Sequence, residues 1–413
     1  GKDKKELLDH RSRSQLLVFF ISVCVISVVC YTLISVGADQ TSAQEQMDEF
    51  LHSLKSSDKS IKHEYSVNNL LYPNIQRYSD GMDYPKYDNL LNTVTNWNPD
   101  EPVVPNNFKE TLMHFNYSNP IERQMALEYR EAELPFKVYN IPEFKHTQDL
   151  WTDEYLMGEF RTVSPHVEKS ASNHFMYWNM RTGGRTRGFI PPTEVIRDMK
   201  FPQWLQLAKA ADEKVLGPDS AHFYFMTGSS KQDRKSKSHF VARDLPLFSD
   251  SKNANFFISA PDKNKGIQCR FGMRGVAAAS HYDNGKNMIA LLKGSKRYII
   301  NPPHTCKQLS IIPDLAHPSY RHSTIDWSNL EEASASHFEK VDSIDTVVKA
   351  GEVLYVPSFW MHYVVSLEYS IQCNSRSGTP PGRDGEDEIN LCMGKDQSQT
   401  KSMRGSKKKH TSE

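Results

Sequence analysis

This sequence lacks an excess of charge of either sign. Its 50 Lys and Arg residues balance 50 Asp and Glu residues, for a formal charge of zero. No global field therefore draws the chain to nucleic acid, and no nucleic-acid partner is expected. Cysteine is scarce, six in 413 residues, too few for a fold built on disulfides. Cys24 and Cys30 fall in one apolar run, and the spacing of Cys269, Cys306, Cys373 and Cys392 matches no zinc pattern. Buried thiols are the leading expectation for these four, with one or two disulfides open if the domain is luminal. No internal repeat is present. Aromatics are not scarce: they make up 11% of the chain within 38% hydrophobic residues. That allows a packed core in a chain long enough for one large domain or two ordinary ones.

One long apolar run is present. Residues 16–36 contain neither charge nor proline, and about 20 such residues span a bilayer as a helix. Lys2, Lys4, Lys5, Arg11 and Arg13 precede it, and Asp39, Glu45, Asp48 and Glu49 follow. The basic side is expected to stay cytoplasmic, giving a type II single-pass protein. A cytoplasmic tail (1–15) would then precede a transmembrane signal anchor (16–37). The body of the chain would face the lumen of the ER or Golgi, or the outside. A cleaved signal peptide processed near Val36-Gly37-Ala38 remains open, and it leaves the body in the same compartment. Asn116-Tyr117-Ser118 is a glycosylation acceptor consistent with that location.

Residues 38–134 are polar and read as a stalk or N-terminal extension. From 135 to 378 the texture changes to short strands separated by Gly, Pro and Asn turns. The predicted strands are Phe136–Tyr139, Phe223–Met226, Gln268–Met273, Met288–Leu292, Arg297–Ile300, Val353–Val356, His362–Val365 and Tyr369–Asn374. Helical patterns appear around Gln148–Leu156 and over Ile196–Ala211. The fold class is thus mainly β: a small barrel or double-sheet jelly roll with flanking helices, behind an N-terminal transmembrane helix. Residues 379–413 are rich in Pro, Gly, Ser and Lys and read as a disordered basic tail.

The chemistry concentrates in His281-Tyr282-Asp283 and a distant His362. A His and an Asp two positions apart share one face of a strand. With a second His they supply the ligand types of the facial triad that holds non-haem Fe(II) and leaves positions open.

The segments GMRGVAAASHYDNGKNMIALLKGSKRYIINPP (272–303) and GEVLYVPSFWMH (351–362) resemble the JmjC, or cupin-like, family of 2-oxoglutarate oxygenases. The nearest likeness is to its asparaginyl hydroxylases. It covers roughly 136–377 and implies a double-stranded β-helix, the cofactor Fe(II) on His281, Asp283 and His362, and the co-substrate 2-oxoglutarate. It further implies that Lys296 anchors the distal carboxylate with Tyr224 beside it, while Asn287 and Asn374 contact the metal-bound end. Lys293 and Arg297 are expected at the surface. The reaction implied is hydroxylation of a protein or peptide side chain, with release of succinate and carbon dioxide. A catalytically inactive cupin-like interaction module is the alternative. The sequence sets no oligomeric state.

Two positions depart from the family. Three residues before the first ligand, where the hydroxylase has a threonine, stands Ala278. Ser280 shares its face on a regular strand but lies roughly 6.5–7 Å further along. One lost hydrogen bond of about 1–1.5 kcal/mol would lower co-substrate affinity by an order of magnitude. The substrate-gripping Arg-Gln pair is here Arg321-His322. An imidazole does not reproduce an amide's paired donor and acceptor, which argues against strict asparagine specificity.

Overall fold

A computed structural model describes residues 84–394 except 164, 215–219, 231–238, 250–252, 315, 379–383 and 393. In chain order the first strands are β1 (Asp88–Asn89), β2 (His114–Asn116), β3 (Phe136–Tyr139), β4 (His166–Ser170), β5 (His174–Phe175), β6 (Glu194–Ile196) and β7 (His222–Ser229). Then come β8 (Ile267–Gly272), β9 (Ala277–Tyr282), β10 (Asn287–Lys293), β11 (Ser295–Asn301), β12 (Asp342–Lys349), β13 (Val353–Val356), β14 (Met361–Ser366) and β15 (Ser370–Arg376). One sheet takes the order β1-β12-β11-β14-β9-β5, the other β2-β3-β13-β10-β15-β8-β7-β4-β6. Strands β8 to β15 supply four adjacent strands to each sheet, all antiparallel. That is an eight-stranded jelly roll. Between the sheets, Ile289, Leu291, Leu354 and Val356 pack with Tyr298, Ile300, Ile344, Val348 and Val364 from the other side.

The expected strands all form. Alternation along β11 sends Lys296, Tyr298 and Ile300 inward and Arg297 and Ile299 to the other face. That other face is not solvent, and here the sequence reading is corrected. Arg297 is 1% exposed. Its guanidinium bonds Asp345 at 2.7 and 2.9 Å, donates to the Trp97 and Thr93 carbonyls, and stacks 4.0 Å from the Trp97 ring. The helix Leu90–Asn96 and β1 bring this cover, because β1 pairs with β12. The described part of the expected stalk is therefore built into the body, with β2 also running parallel to β3. A polar composition hid this, since the anchoring residues are few: Leu90, Val94, Trp97, Leu112 and Phe115 are all buried.

Local chemistry sets the helix boundaries. Asn119 caps Pro120–Glu131 by accepting from the Ile121 and Glu122 amides, and Pro120 needs no donor at the first turn. The helical pattern near 148–156 is two helices, Pro142–Leu150 and Asp153–Glu159. The break comes at Trp151, and the Thr152 side chain caps the second helix. The helix expected from Ile196 starts instead at Phe201, because Ile196 ends β6 and Pro202 sits in the first turn.

The four downstream cysteines form two disulfides rather than remaining thiols. Cys269 and Cys373 lie directly opposite on β8 and β15 and are joined. Cys306 is joined to Cys392, at the end of the helix Asp384–Cys392. Part of the expected disordered tail is thus a cross-linked helix. Its polar composition does not reveal a partner 86 residues upstream. The predicted membrane segment 16–37 and the basic end of the tail lie outside the described residues. Among the described residues no helix is long and apolar enough to cross a membrane.

Candidate metal centre

The two histidines meet across one antiparallel pair. His362, near the start of β14, is registered directly against His281 near the end of β9, and their ring centroids are 4.3 Å apart. One ligand atom from each of His281, Asp283 and His362 fits within a mutual distance of 4.8 Å. The pairing carries a bulge: His362 faces His281, but Val364 faces Ala278. Two residues of β9, Ala279 and Ser280, thus oppose Tyr363 alone. The extra residue inverts the alternation, so Ala278 and His281 both line the cavity. Ser280 turns the other way, 1% exposed, its hydroxyl without a partner among the described residues. The expectation that Ser280 shares the face of Ala278 is corrected by this bulge.

The site is set up to give neutral imidazoles and an ionised carboxylate. Nδ1 of His281 lies 2.8 Å from the Ala279 carbonyl, and Nδ1 of His362 lies 3.1 Å from that of Trp360. A carbonyl only accepts, so each Nδ1 carries the proton and each Nε2 keeps a lone pair for a metal. Burial lowers the pKa of both rings; His362 and His322 add to this at His281, where the fall is large, while Asp283 opposes it at His362. Burial alone would raise the pKa of Asp283. Arg376, His281 and Arg321 outweigh it and hold the carboxyl well below its usual range. Both guanidiniums bond Oδ1, at 2.7 and 2.8 Å, and the Asn287 amide donates to Oδ2 at 3.2 Å. Two imidazoles and one carboxylate, all ready to donate lone pairs, fit a divalent first-row ion.

The loops carrying the ligands are clasped from behind. The Phe359 amide donates to the Asp283 carbonyl at 2.8 Å, with Phe359 at φ 67°. A non-glycine residue held at positive φ beside a functional site is an imposed conformation. The Glu133 carboxylate pairs with Lys286 at 2.6 Å and accepts from the Ser358 amide and the Tyr355 hydroxyl, each at 3.3 Å. One carboxylate therefore ties the loop after Asp283 to the loop before His362.

A cavity of about 330 Å³ opens from the centre into the jelly roll. Lys296 is 1% exposed, and its Nζ lies 3.2 Å from the Tyr224 hydroxyl. No carboxylate pairs with it among the described residues. Burial, reinforced by Arg270, lowers its pKa to about 7, and burial raises that of Tyr224 to about 12. Asn374 donates to Asn287 at 3.0 Å, so both amides stand beside Asp283. Arg321 and His322 also line the cavity, but Arg321 is engaged with Asp283. His322 is 1% exposed and stacked 4.9 Å from His281. Sequence reasoning missed Arg270, Tyr298, Gln372 and Arg376, which line the same cavity. The period-two series Gln372, Asn374, Arg376 on β15 was the available signal. Glu133 left none, because it acts from a helix terminus far from either motif.

A jelly roll that gathers two histidines and an aspartate at one candidate metal site, with an interior lysine that has no carboxylate partner among the described residues, is a cupin-type arrangement. The chain belongs to the cupin-like domain family, matched over residues 122–375. It is similar to human tRNA wybutosine-synthesizing protein 5, with 23% identity over 227 residues, 54% of this chain and 65% of the relative. It is also similar to the Arabidopsis thaliana lysine-specific demethylase JMJ30, with 24% identity over 48% of this chain and 44% of the relative. The Caenorhabditis elegans bifunctional arginine demethylase and lysyl-hydroxylase psr-1 shares 22% identity over 64% of this chain and 60% of the relative. The chain spans less than two thirds of the length of these relatives.

Proposed function

We propose that this chain is an Fe(II)- and 2-oxoglutarate-dependent oxygenase that hydroxylates a side chain of a luminal or secreted protein. The observation that carries this reading is the pairing of the His281, Asp283 and His362 centre with the buried, carboxylate-free Lys296. A cation buried at that cost calls for an anion, and a dicarboxylate chelating the metal would bring one. A non-catalytic module would have no use for an uncompensated charge in its interior.

When bound, the iron supplies the redox chemistry that couples oxygen to decarboxylation of the co-substrate. The chain's residues do the rest. Lys296 and Tyr224 receive the distal carboxylate as cation and hydroxyl donor. Arg321 and Arg376 keep Asp283 ionised, and Asn287 fixes the carboxylate's orientation. The carbonyls of Ala279 and Trp360 hold the imidazoles in the ligand tautomer. Phe175, Met226, Ile289 and Val364 line the cavity and limit water at the reacting atoms.

The luminal or extracellular assignment rests on the apolar run at 16–37 and on cysteine use. Two disulfides persist where thiols are not kept reduced. That compartment favours a secreted or luminal protein substrate over the tRNA that one relative's name gives. Purified chain supplied with Fe(II), ascorbate, 2-oxoglutarate and candidate secreted peptides should release succinate and add one oxygen to the peptide. No iron-dependent succinate from protein that has bound the metal would refute the reading.

A further inference from the structure

The cavity holds more positive charge than its co-substrate balances. Arg270, Arg321 and Arg376 line it and Lys296 reaches Tyr224 on its wall, against the carboxylates of Glu168 and Asp283. A ferrous ion and a dicarboxylate cancel each other, so the excess remains in the assembled site. Arg321 and Arg376 bond Asp283, but Arg270 does not. Its Nη1 touches only the neutral Asn374 amide, at 3.3 Å, and it has no carboxylate partner among the described residues. A half-buried guanidinium without a counter-ion awaits one.

The same sign continues outside. Residues 177–190 form an arm beside the cavity. Tyr177 stacks on His322 at 6.4 Å, the Asn179 amide donates to the Pro318 carbonyl at 3.0 Å, and Phe189 meets His317 edge-on. Tyr177 and His322 themselves line the cavity, so the arm borders its mouth. Arg181, Arg185 and Arg187 are exposed on this arm and form no ion pair among the described residues, and it contains no acidic residue. Met180 and Ile190 stand out at 52% and 84% exposed.

We propose that the substrate is an acidic stretch of polypeptide that places one carboxylate toward Arg270 and further carboxylates on Arg181, Arg185 and Arg187. Charge complementarity selects the anion, and the exposed aliphatic side chains select protein over nucleic acid. A phosphate backbone gains nothing from Met180 or Ile190. Base stacking needs open aromatic faces, and Tyr177, the aromatic ring exposed on the arm, is already stacked on His322.

This inference rests on the oxygenase reading but is tested by binding as well as turnover. The full chain, loaded with Mn(II) and 2-oxoglutarate, is titrated into three fluorescent probes read by anisotropy. They are a peptide alternating glutamate and alanine, its lysine counterpart, and a single-stranded RNA of matching charge. The acidic peptide should bind at least about tenfold tighter than either of the others, and added salt should weaken it. The triple substitution Arg181→Glu, Arg185→Glu, Arg187→Glu should weaken that binding about tenfold or more while leaving peptide-free succinate release unchanged. Arg270→Gln should reduce the preference for the acidic peptide over the lysine one. Equal binding of the two peptides, or tighter binding of the RNA, overturns the proposal. Preference for the acidic peptide without any iron-dependent succinate release leaves the arm as an acidic-peptide docking surface but overturns its role as a substrate site, together with the oxygenase reading.

Discussion

Lys296 gives the sharpest prediction, because the proposed role as co-substrate anchor requires a buried cation that costs the free protein stability. Burial and Arg270 together lower its pKa from 10.5 to about 7. Below pH about 7 the folded and unfolded chains both carry the proton, and the folded form bears the full penalty of an enclosed charge. Between pH 7 and 10.5 the unfolded chain keeps a proton that the folded chain has shed, so folding stability rises with pH. Above 10.5 neither carries it and the penalty is gone. At 1.36 kcal/mol for each pH unit separating the two values, the penalty is about 4–5 kcal/mol at pH 7 and about 2 kcal/mol at pH 9. Lys296→Met removes it. In the absence of metal and 2-oxoglutarate, denaturant unfolding should find the variant more stable by about those amounts at the two pH values. The same variant should lose 2-oxoglutarate binding by more than a hundredfold, since removing one partner of a buried ion pair costs about 3–5 kcal/mol. A variant less stable than its parent at pH 7, or with 2-oxoglutarate affinity intact, would refute the assignment of Lys296 as a buried anchor kept for an anion.

Three further outcomes follow from the packing. Glu133→Gln leaves Lys286 without its counter-ion and loosens both ligand loops, so Mn(II) affinity should fall about 10–100-fold by calorimetry; unchanged affinity would show that Glu133 does not position the ligands. Replacing Cys306 and Cys392 together by alanine opens a cross-link across 86 residues. It should lower unfolding stability by about 4–5 kcal/mol with metal binding retained. Arg297→Met strands the Asp345 carboxylate, whose pKa burial already raises despite Arg297. Unfolding should show a loss of about 3–5 kcal/mol, whereas a surface arginine would cost almost nothing.

The sequence exposed what alternation and short motifs encode. His281, Asp283 and His362 could be read because two lie at strand spacing and the third follows a recognisable turn. Lys296 could be read only through the family resemblance of its flanking residues, since alone a strand lysine reads as a solvated one. The bulge at Ala279–Ser280 was not legible, since no residue there demands an extra step; it arises from the pairing of β9 with β14. The outer cover of β11 was hidden because Arg297 resembles a solvated strand residue until Trp97 and Asp345 arrive from distant segments. Glu133 was hidden for the same reason: its partners Lys286 and Ser358 lie more than a hundred residues away. Composition misread the terminal helix, because its anchors are few: one disulfide and the buried Ile389.

The central claim is that His281, Asp283 and His362 hold one ferrous ion that works with 2-oxoglutarate. The most direct test measures bound iron and succinate formation on the same sample of the chain and of Asp283→Ala. The account predicts one iron per chain with turnover in the parent, and loss of both in the variant. Iron bound and succinate formed at parental levels without the Asp283 carboxylate would contradict it.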